Sequence, residues 1–140
     1  MRLSTKVRYG MRLMLELALH WNKGPVKLEK VAERQSIPLK YMRQIAYALE
    51  AGGLLISMRG PGGGYILPRP PEDISLFEII KSVAGSLSLV PCLDNPRFCE
   101  KSACCATREL WDEASSALRE IFEKKKLSDL VKRQLALGGV

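Results

Sequence analysis

The chain is poor in the groups that most enzymes use for catalysis. Its only histidine is His20, far in sequence from every cysteine. No Ser/His/Asp or Cys/His relay can therefore be read from it. No stretch approaches the roughly 18 uninterrupted apolar residues of a membrane span. Where a secretory leader would be apolar, the first segment carries Arg12 and Glu16, so residues from Met1 onward are read as mature structure. No Gly-Lys-Ser/Thr follows the glycine-rich stretch at residues 60–64, which excludes a phosphate-binding loop. Cysteine is missing before residue 92 and after residue 105. All four cysteines, Cys92, Cys99, Cys104 and Cys105, thus share one fourteen-residue window. A cytoplasmic protein with reduced thiols is expected, and thiols clustered there hold metal or sense redox more often than they form structural disulfides.

Charge is distributed as unevenly as cysteine. The net charge is +7 over 140 residues. Residues 1–70 hold 12 Lys and Arg against 4 Asp and Glu, whereas residues 71–140 hold 10 against 11. A basic half is the footprint expected when the partner is a phosphate backbone.

Apolar spacing in that basic half predicts helices. Ser4 or Thr5 caps a first helix to about Trp21, with Val7, Met11, Met14, Leu15 and Ala18 on one face. Gly24-Pro25 ends it. A short second helix, Leu28 to Gln35, turns Val31 and Ala32 inward and stops at Ser36-Ile37-Pro38. A third, from Pro38 at its first position to Ala51, buries Met42, Ile45, Ala46 and Leu49. Its other side presents Lys40, Tyr41, Arg43, Gln44 and Tyr47. A short helix, a tight turn and a second helix with a basic and amide-bearing outer face fit a helix-turn-helix.

Two apolar runs, Leu54 to Met58 and Tyr65 to Leu67, flank Arg59-Gly60-Pro61-Gly62-Gly63-Gly64 and predict a β-hairpin. After a recognition helix such a hairpin is a wing. Gly62 and Gly63 leave room for a phosphate, and Arg59 suits a minor groove. Pro68 to Pro71 is a stiff connector, and Ser75 with Glu78 forms a capping-box pattern for a helix to about Val83. Residues 85–103 lack periodicity. From about Cys105 a long helix follows, its stripe of Thr107, Trp111, Ala114, Leu118 and Ile121 widened by Leu110, Ala117 and Phe122. So wide a stripe in so small a protein predicts a dimerisation helix. Ser128 to Gln134 predicts a short last helix. The expected fold is mainly α: a winged helix-turn-helix of three helices plus a β-hairpin wing, with a long C-terminal dimerisation helix. The expected division is a DNA-binding part at 1–84, a cysteine-bearing cluster-binding loop at 85–104, and dimerisation and C-terminal helices at 105–140.

The run Arg59-Gly-Pro-Gly-Gly-Gly-Tyr65, the opening Met1 to Lys6 with Arg8-Tyr9, and Cys105-Ala-Thr-Arg-Glu-Leu-Trp111 resemble the Rrf-two family of winged-helix regulators, over residues 1 to about 135. The resemblance implies a homodimeric transcription factor whose iron–sulfur cluster sits in the cysteine loop and controls DNA affinity. It places cluster ligands on Cys92, Cys99 and Cys105. It places DNA contacts on Pro38, Lys40, Tyr41 and Arg43, with Arg59, Pro61 and Gly62 in the wing. The chain departs from the family's iron–sulfur branch at Arg108, where that branch has histidine. It departs from the nitric-oxide-sensing branch at Arg8, where that branch has a carboxylate, and its first cysteine gap is one residue longer.

Thiolates are the usual ligands of iron–sulfur clusters, commonly four. Cys104 is the fourth by count, with Asp94, Glu100, an exogenous thiol or a residue of the second subunit as alternatives. Zinc also accepts four cysteines, although paired C-x2-C knuckles are missing. A metal-free disulfide switch at the vicinal Cys104-Cys105 is a further possibility. The expected function is a sequence-specific regulator, chiefly a repressor, on a pseudo-palindromic double-stranded DNA operator. Lys6 is an expected phosphate contact. A cluster carrier or scaffold that docks an acidic protein is the alternative from another class.

Overall fold

Ser4 opens the first helix of the computed structural model, which describes residues 1–139. Its hydroxyl accepts the Val7 N–H at 3.2 Å and satisfies one of the donors a helix start leaves unpaired. Helix α1 spans Thr5–Leu19 and ends where His20 caps it, with the His20 ring nitrogen Nδ1 2.8 Å from the Glu16 carbonyl. The buried face of α1 is Val7, Gly10, Leu13, Met14, Leu17 and Ala18. Met11 and Leu15, expected inward, lie half-buried on its flanks. The reason is Gly10. A Cβ there would lie 3.2 Å from a Val83 methyl, so the small residue marks the line of closest helix approach that a count of large apolar residues overlooks.

Helix α2 (Leu28–Gln35) buries Leu28, Val31 and Ala32. It stops in a left-handed Ser36 with φ 53°, while the Ile37 N–H reaches back to the Ala32 carbonyl at 2.9 Å. Helix α3 (Leu39–Ala51) buries Met42, Ile45, Ala46 and Leu49, the face the spacing predicts. Pro38 stands one place earlier than expected, as the cap, and its carbonyl accepts the Met42 N–H at 3.0 Å.

Strands β1 (Ile56–Met58) and β2 (Gly64–Ile66) pair antiparallel, Ser57 opposite Tyr65. Both are shifted from the expected runs. Leu54 N–H bonds the Leu49 carbonyl at 2.9 Å to close α3, so Leu54 and Leu55 enter the core as irregular chain rather than as strand. On its outer edge Tyr65 exchanges backbone bonds of 2.9 and 2.8 Å with Val26, which ties the hairpin to the chain just before α2.

Helix α4 (Leu76–Ala84) starts with the expected capping box between Ser75 and Glu78. Residues 85–105 carry only short turns: α5 (Pro91–Asp94) and 3₁₀ turns at Pro96–Phe98 and Ser102–Cys104. Helix α6 (Ala106–Lys124) follows, then α7 (Leu127–Leu137), longer than the sequence pattern suggests. Between them the chain pairs with the start of α4. Leu76 N–H bonds the Lys125 carbonyl at 3.0 Å, and Leu127 N–H bonds the Ile74 carbonyl at 2.8 Å. Leu127 is fully enclosed, a burial that stabilises by about 1.5–3 kcal/mol. The core thus lies where α1, α3, α4 and the start of α7 meet. Among the described residues, no helix is long and apolar enough to cross a membrane.

Candidate nucleic-acid interface and cysteine segment

Burying Met42, Ile45 and Leu49 forces the opposite side of α3 outward. Lys40, Arg43, Gln44 and Tyr47 are exposed there, Tyr47 most fully at 75%. Pro38 is exposed at the start of the same helix. Tyr41, expected outward, is half-buried instead. Its ring meets Tyr9 edge-on at 5.8 Å between centroids, so it fastens the first turn of α3 to α1. The guanidinium groups of Arg8 and Arg12 lie 5.9 and 6.0 Å from the Tyr9 ring centroid, which gathers two more cations at this junction.

Arg43 faces Glu29 of α2 at 3.5 Å, and both side chains are mostly in water. An exposed pair of this kind is worth at most about 1 kcal/mol, so a phosphate or a guanine edge competes for the guanidinium at little cost. Arg43 and Tyr47 line an open cleft whose other walls are Lys27 and Lys30 of the α2 start and Gly60 and Tyr65 of the hairpin. Ser57 donates to Glu50 at 3.0 Å across the α3–hairpin seam. Burial, followed by the charge of Glu50, holds the Tyr65 hydroxyl above its usual pKa. Lys27 and Lys30 were not among the expected contacts. Their signal was available, as two lysines three apart at a helix start, where the dipole also favours anions.

At the hairpin tip Arg59, Pro61 and Gly62 are exposed and Gly63 is half-buried. The glycines divide by role. A Cβ on Gly64 would stand 2.5 Å from the Val26 carbonyl oxygen, and one on Gly63 would collide with the Met58 carbonyl. Nothing lies within 4 Å of the corresponding point on Gly62. The fold itself therefore needs Gly63 and Gly64, whatever either does toward a phosphate, and only Gly62 is left without an internal reason. Lys6 is half-exposed in the first turn of α1.

The cysteine segment hangs between α4 and α6. All four thiols are free; Cys99 and Cys104 are exposed, Cys92 and Cys105 half-buried. Cys105 caps α6, and its sulfur lies 3.2 Å from the Thr107 hydroxyl. That hydroxyl, followed by the Arg108 backbone N–H, lowers the Cys105 pKa below the ordinary thiol value. Arg108 also donates from Nε and Nη2 to the Cys92 carbonyl, both at 3.4 Å, and so ties the first cysteine to the start of α6. Asp94, weighed as a ligand, is already engaged: its Oδ1 accepts the Ser86 and Ser88 hydroxyls at 2.8 and 2.7 Å. The donor set suits an iron–sulfur cluster chemically, with several thiols on short turns open to solvent. The conformation does not assemble it. Among the described residues no three Cys, His, Asp or Glu side chains stand close enough together to hold a metal ion. His20, bonded within α1, is remote in sequence from the segment.

Comparison with known proteins covers both regions with a single family match. The Rrf2 family profile, described as "Iron-dependent Transcriptional regulator", matches residues 3–133. The HTH-type transcriptional regulator IscR of Xenorhabdus nematophila is 39% identical over 137 residues, covering 98% of this chain and 83% of that protein. The structure of CymR, the global cysteine regulator of B. subtilis, superposes with a TM-score of 0.78 at 34% identity, over 95% of this chain and 98% of that one. IscR of T. potens superposes equally well, with TM-score 0.78 and 34% identity over 95% and 88% of the two chains. These are regulators of transcription, not enzymes, and the fold that positions α3 and the hairpin is theirs. The chain belongs to the Rrf2 family of winged helix-turn-helix transcriptional regulators.

Proposed function

We propose that the chain is a cytoplasmic, homodimeric DNA-binding repressor whose cysteine segment carries an iron–sulfur cluster that sets operator affinity. The observation that carries this reading is the position of the thiols: Cys105 caps the same helix, α6, that leaves Leu110, Trp111 and Ile121 exposed. Leu110 and Ile121 are 53% and 50% exposed on α6, and Ala117 between them is exposed as well. Covering such a face with its two-fold copy sets two reading heads side by side. Cluster chemistry at one end of that helix then acts on how the heads are held.

Within this reading the three segments divide the work. Residues 1–84 grip DNA, with Lys40, Arg43 and Gln44 in a major groove and Arg59, Pro61 and Gly62 at an adjacent minor groove. Pro38 starts the reading helix, Tyr41 braces it, Gly63 shapes the wing and Lys6 meets phosphate. Residues 85–104 with Cys105 hold the cluster through Cys92, Cys99 and Cys105, and Cys104 is the nearest fourth thiol in sequence. Residues 105–140 supply the dimer seam. The segment must close up to gather its ligands, and its short turns and exposed thiols leave it the freedom to do so.

The test is anaerobic purification followed by visible absorbance with iron and acid-labile sulfide assay, and then operator binding by the loaded and stripped forms. Loss of absorbance in Cys92→Ala, Cys99→Ala and Cys105→Ala is expected, and Cys104→Ala decides the fourth position. Reconstituted protein without iron would favour a second reading. In that reading the vicinal Cys104-Cys105 pair forms a disulfide with a partner thiol on oxidation. This reading needs no gathering of three ligands, which no described residues show.

A further inference from the structure

We infer that the cleft between α4, the stem of the cysteine segment and α6 is a binding site for a small zwitterion of the free α-amino-acid class. The cleft, about 370 Å³, is lined by Phe77 and Lys81 of α4, Ser86 and Asp94 of the stem, and Asp112 and Arg119 of α6. Its volume falls within the range of small-ligand pockets.

The charges point to the ligand. Among the described residues, neither Lys81 nor Asp112 takes part in an ion pair, although both line this one cleft, Lys81 from α4 and Asp112 from α6. Two opposite charges that line a common cavity without meeting are matched by a molecule carrying a carboxylate and an ammonium on one carbon. Phe77 of the lining has both cationic groups within reach of its ring. The Arg119 guanidinium lies 4.7 Å and the Lys81 ammonium 6.0 Å from its ring centroid. Arg119 also pairs with Glu123 at 2.8 Å one turn along α6, an exposed contact that constrains it only weakly.

The cleft stays open in the proposed dimer. At about 100° per residue, Leu110, Ala117 and Ile121 fall roughly 160–180° around α6 from Arg119. A second copy seated on that apolar face therefore does not cover the cleft. The site also touches the stem on which the thiols move. Ser86 and Ser88 hold Asp94, two residues after Cys92, and Leu89 N–H donates to the Ser115 hydroxyl at 3.0 Å. A molecule bound between Lys81 and Asp112 bridges α4 of the DNA-binding part to α6 across this stem, and so adds a second input to the regulator. That regulatory consequence rests on the function proposed above; the binding itself does not.

The test uses the full chain, reduced, stripped of iron by chelation and without DNA, titrated with free L-α-amino acids while the amide resonances of Phe77, Ser86 and Ser116 are followed. Saturable shifts are expected with a dissociation constant of about 1 mM or below. The N-acetyl derivative, which lacks the ammonium, and the amide derivative, which lacks the carboxylate, should each bind at least about tenfold more weakly. Asp112→Asn should erase the preference for the ammonium, and Lys81→Met the preference for the carboxylate, with dispersed spectra confirming that both variants fold. No shift from any amino acid at ~10 mM would overturn the proposal. So would acetate or phosphate binding as well as the amino acids, which would mark a simple anion site. Because DNA and cluster are absent, failure here leaves the operator-binding reading intact, and failure of that reading leaves this result unchanged.

Discussion

Residue by residue, the DNA-facing side separates into side chains that read and side chains that hold. Arg43 is exposed and only loosely paired with Glu29, so it is free to give guanine a bidentate partner worth about 1–3 kcal/mol of discrimination. Arg43→Ala should therefore lose operator preference while keeping its hold on scrambled DNA. Lys6→Ala should weaken both alike and reduce the salt slope by about one. Competition binding over a salt series separates the two, and equal losses for Arg43→Ala would remove its reading role. The wing glycines offer a sharper contrast. Gly64→Ala drives a Cβ toward the Val26 carbonyl and should cost about 2 kcal/mol or more in thermal unfolding. Gly62→Ala should leave stability within about 0.5 kcal/mol and show its effect on DNA affinity alone. At the sulfur end, the Thr107 hydroxyl and then the Arg108 N–H depress the Cys105 pKa. In the cluster-free protein Cys105 should be alkylated at neutral pH before the exposed Cys104, with the rate falling as pH drops through that depressed value. Thr107→Val should narrow the difference.

At the scale of elements, α6 carries the most exposed prediction. Leu110→Asp with Ile121→Asp should give a folded monomer by sedimentation, with operator affinity down about tenfold or more because two half-sites are no longer bound together. The helix start at Ser75 is a second test. Burial raises the Glu78 pKa, but the Arg69 hydrogen bond and the Ser75 amide outweigh it and hold the carboxyl below its usual range. The stability from this network is therefore complete above the ordinary glutamate pKa and is lost as pH falls through the lowered one. Ser75→Ala should cost about 0.5–2 kcal/mol at neutral pH.

How well these elements could be foreseen follows from what generates each signal. Helices α2 and α3 announced themselves because Val31, Ala32, Met42, Ile45 and Leu49 repeat at helical spacing and the Ser36–Pro38 turn punctuates them. Leu54 and Leu55 misled because an apolar pair before a glycine hairpin looks like strand, whereas a helix-closing hydrogen bond at Leu54 claims the backbone donor. Tyr41 looked outward because its partner Tyr9 sits 32 positions earlier, a contact no local pattern encodes. The engagement of Asp94 by Ser86 and Ser88, and the span from Arg108 to the Cys92 carbonyl, are likewise products of how the aperiodic segment folds back. The thiols themselves were plain, since chemistry is spelled by residue type while gathering is spelled by conformation.

For the whole molecule, a basic N-terminal half and a cysteine segment in the C-terminal half predict, on the proposed function, binding that is both salt-steep and state-dependent. In the proposed dimer, two-fold symmetry calls for half-sites separated by one or more helical turns of roughly 34 Å each. Inserting five base pairs between them, about half a helical turn, should abolish cooperative binding, and footprinting would show it.

The backbone bonds between Tyr65 and Val26 have a further meaning at this scale. They weld the hairpin to the segment that leads into α2, and α3 is stitched to the same hairpin through Ser57 and Glu50. Each head is accordingly tied together as one jaw, hairpin, α2 and α3 linked by these bonds. Whatever the thiols report, DNA in the proposed dimer feels it as calipers would transmit it: through the distance and tilt between two jaws.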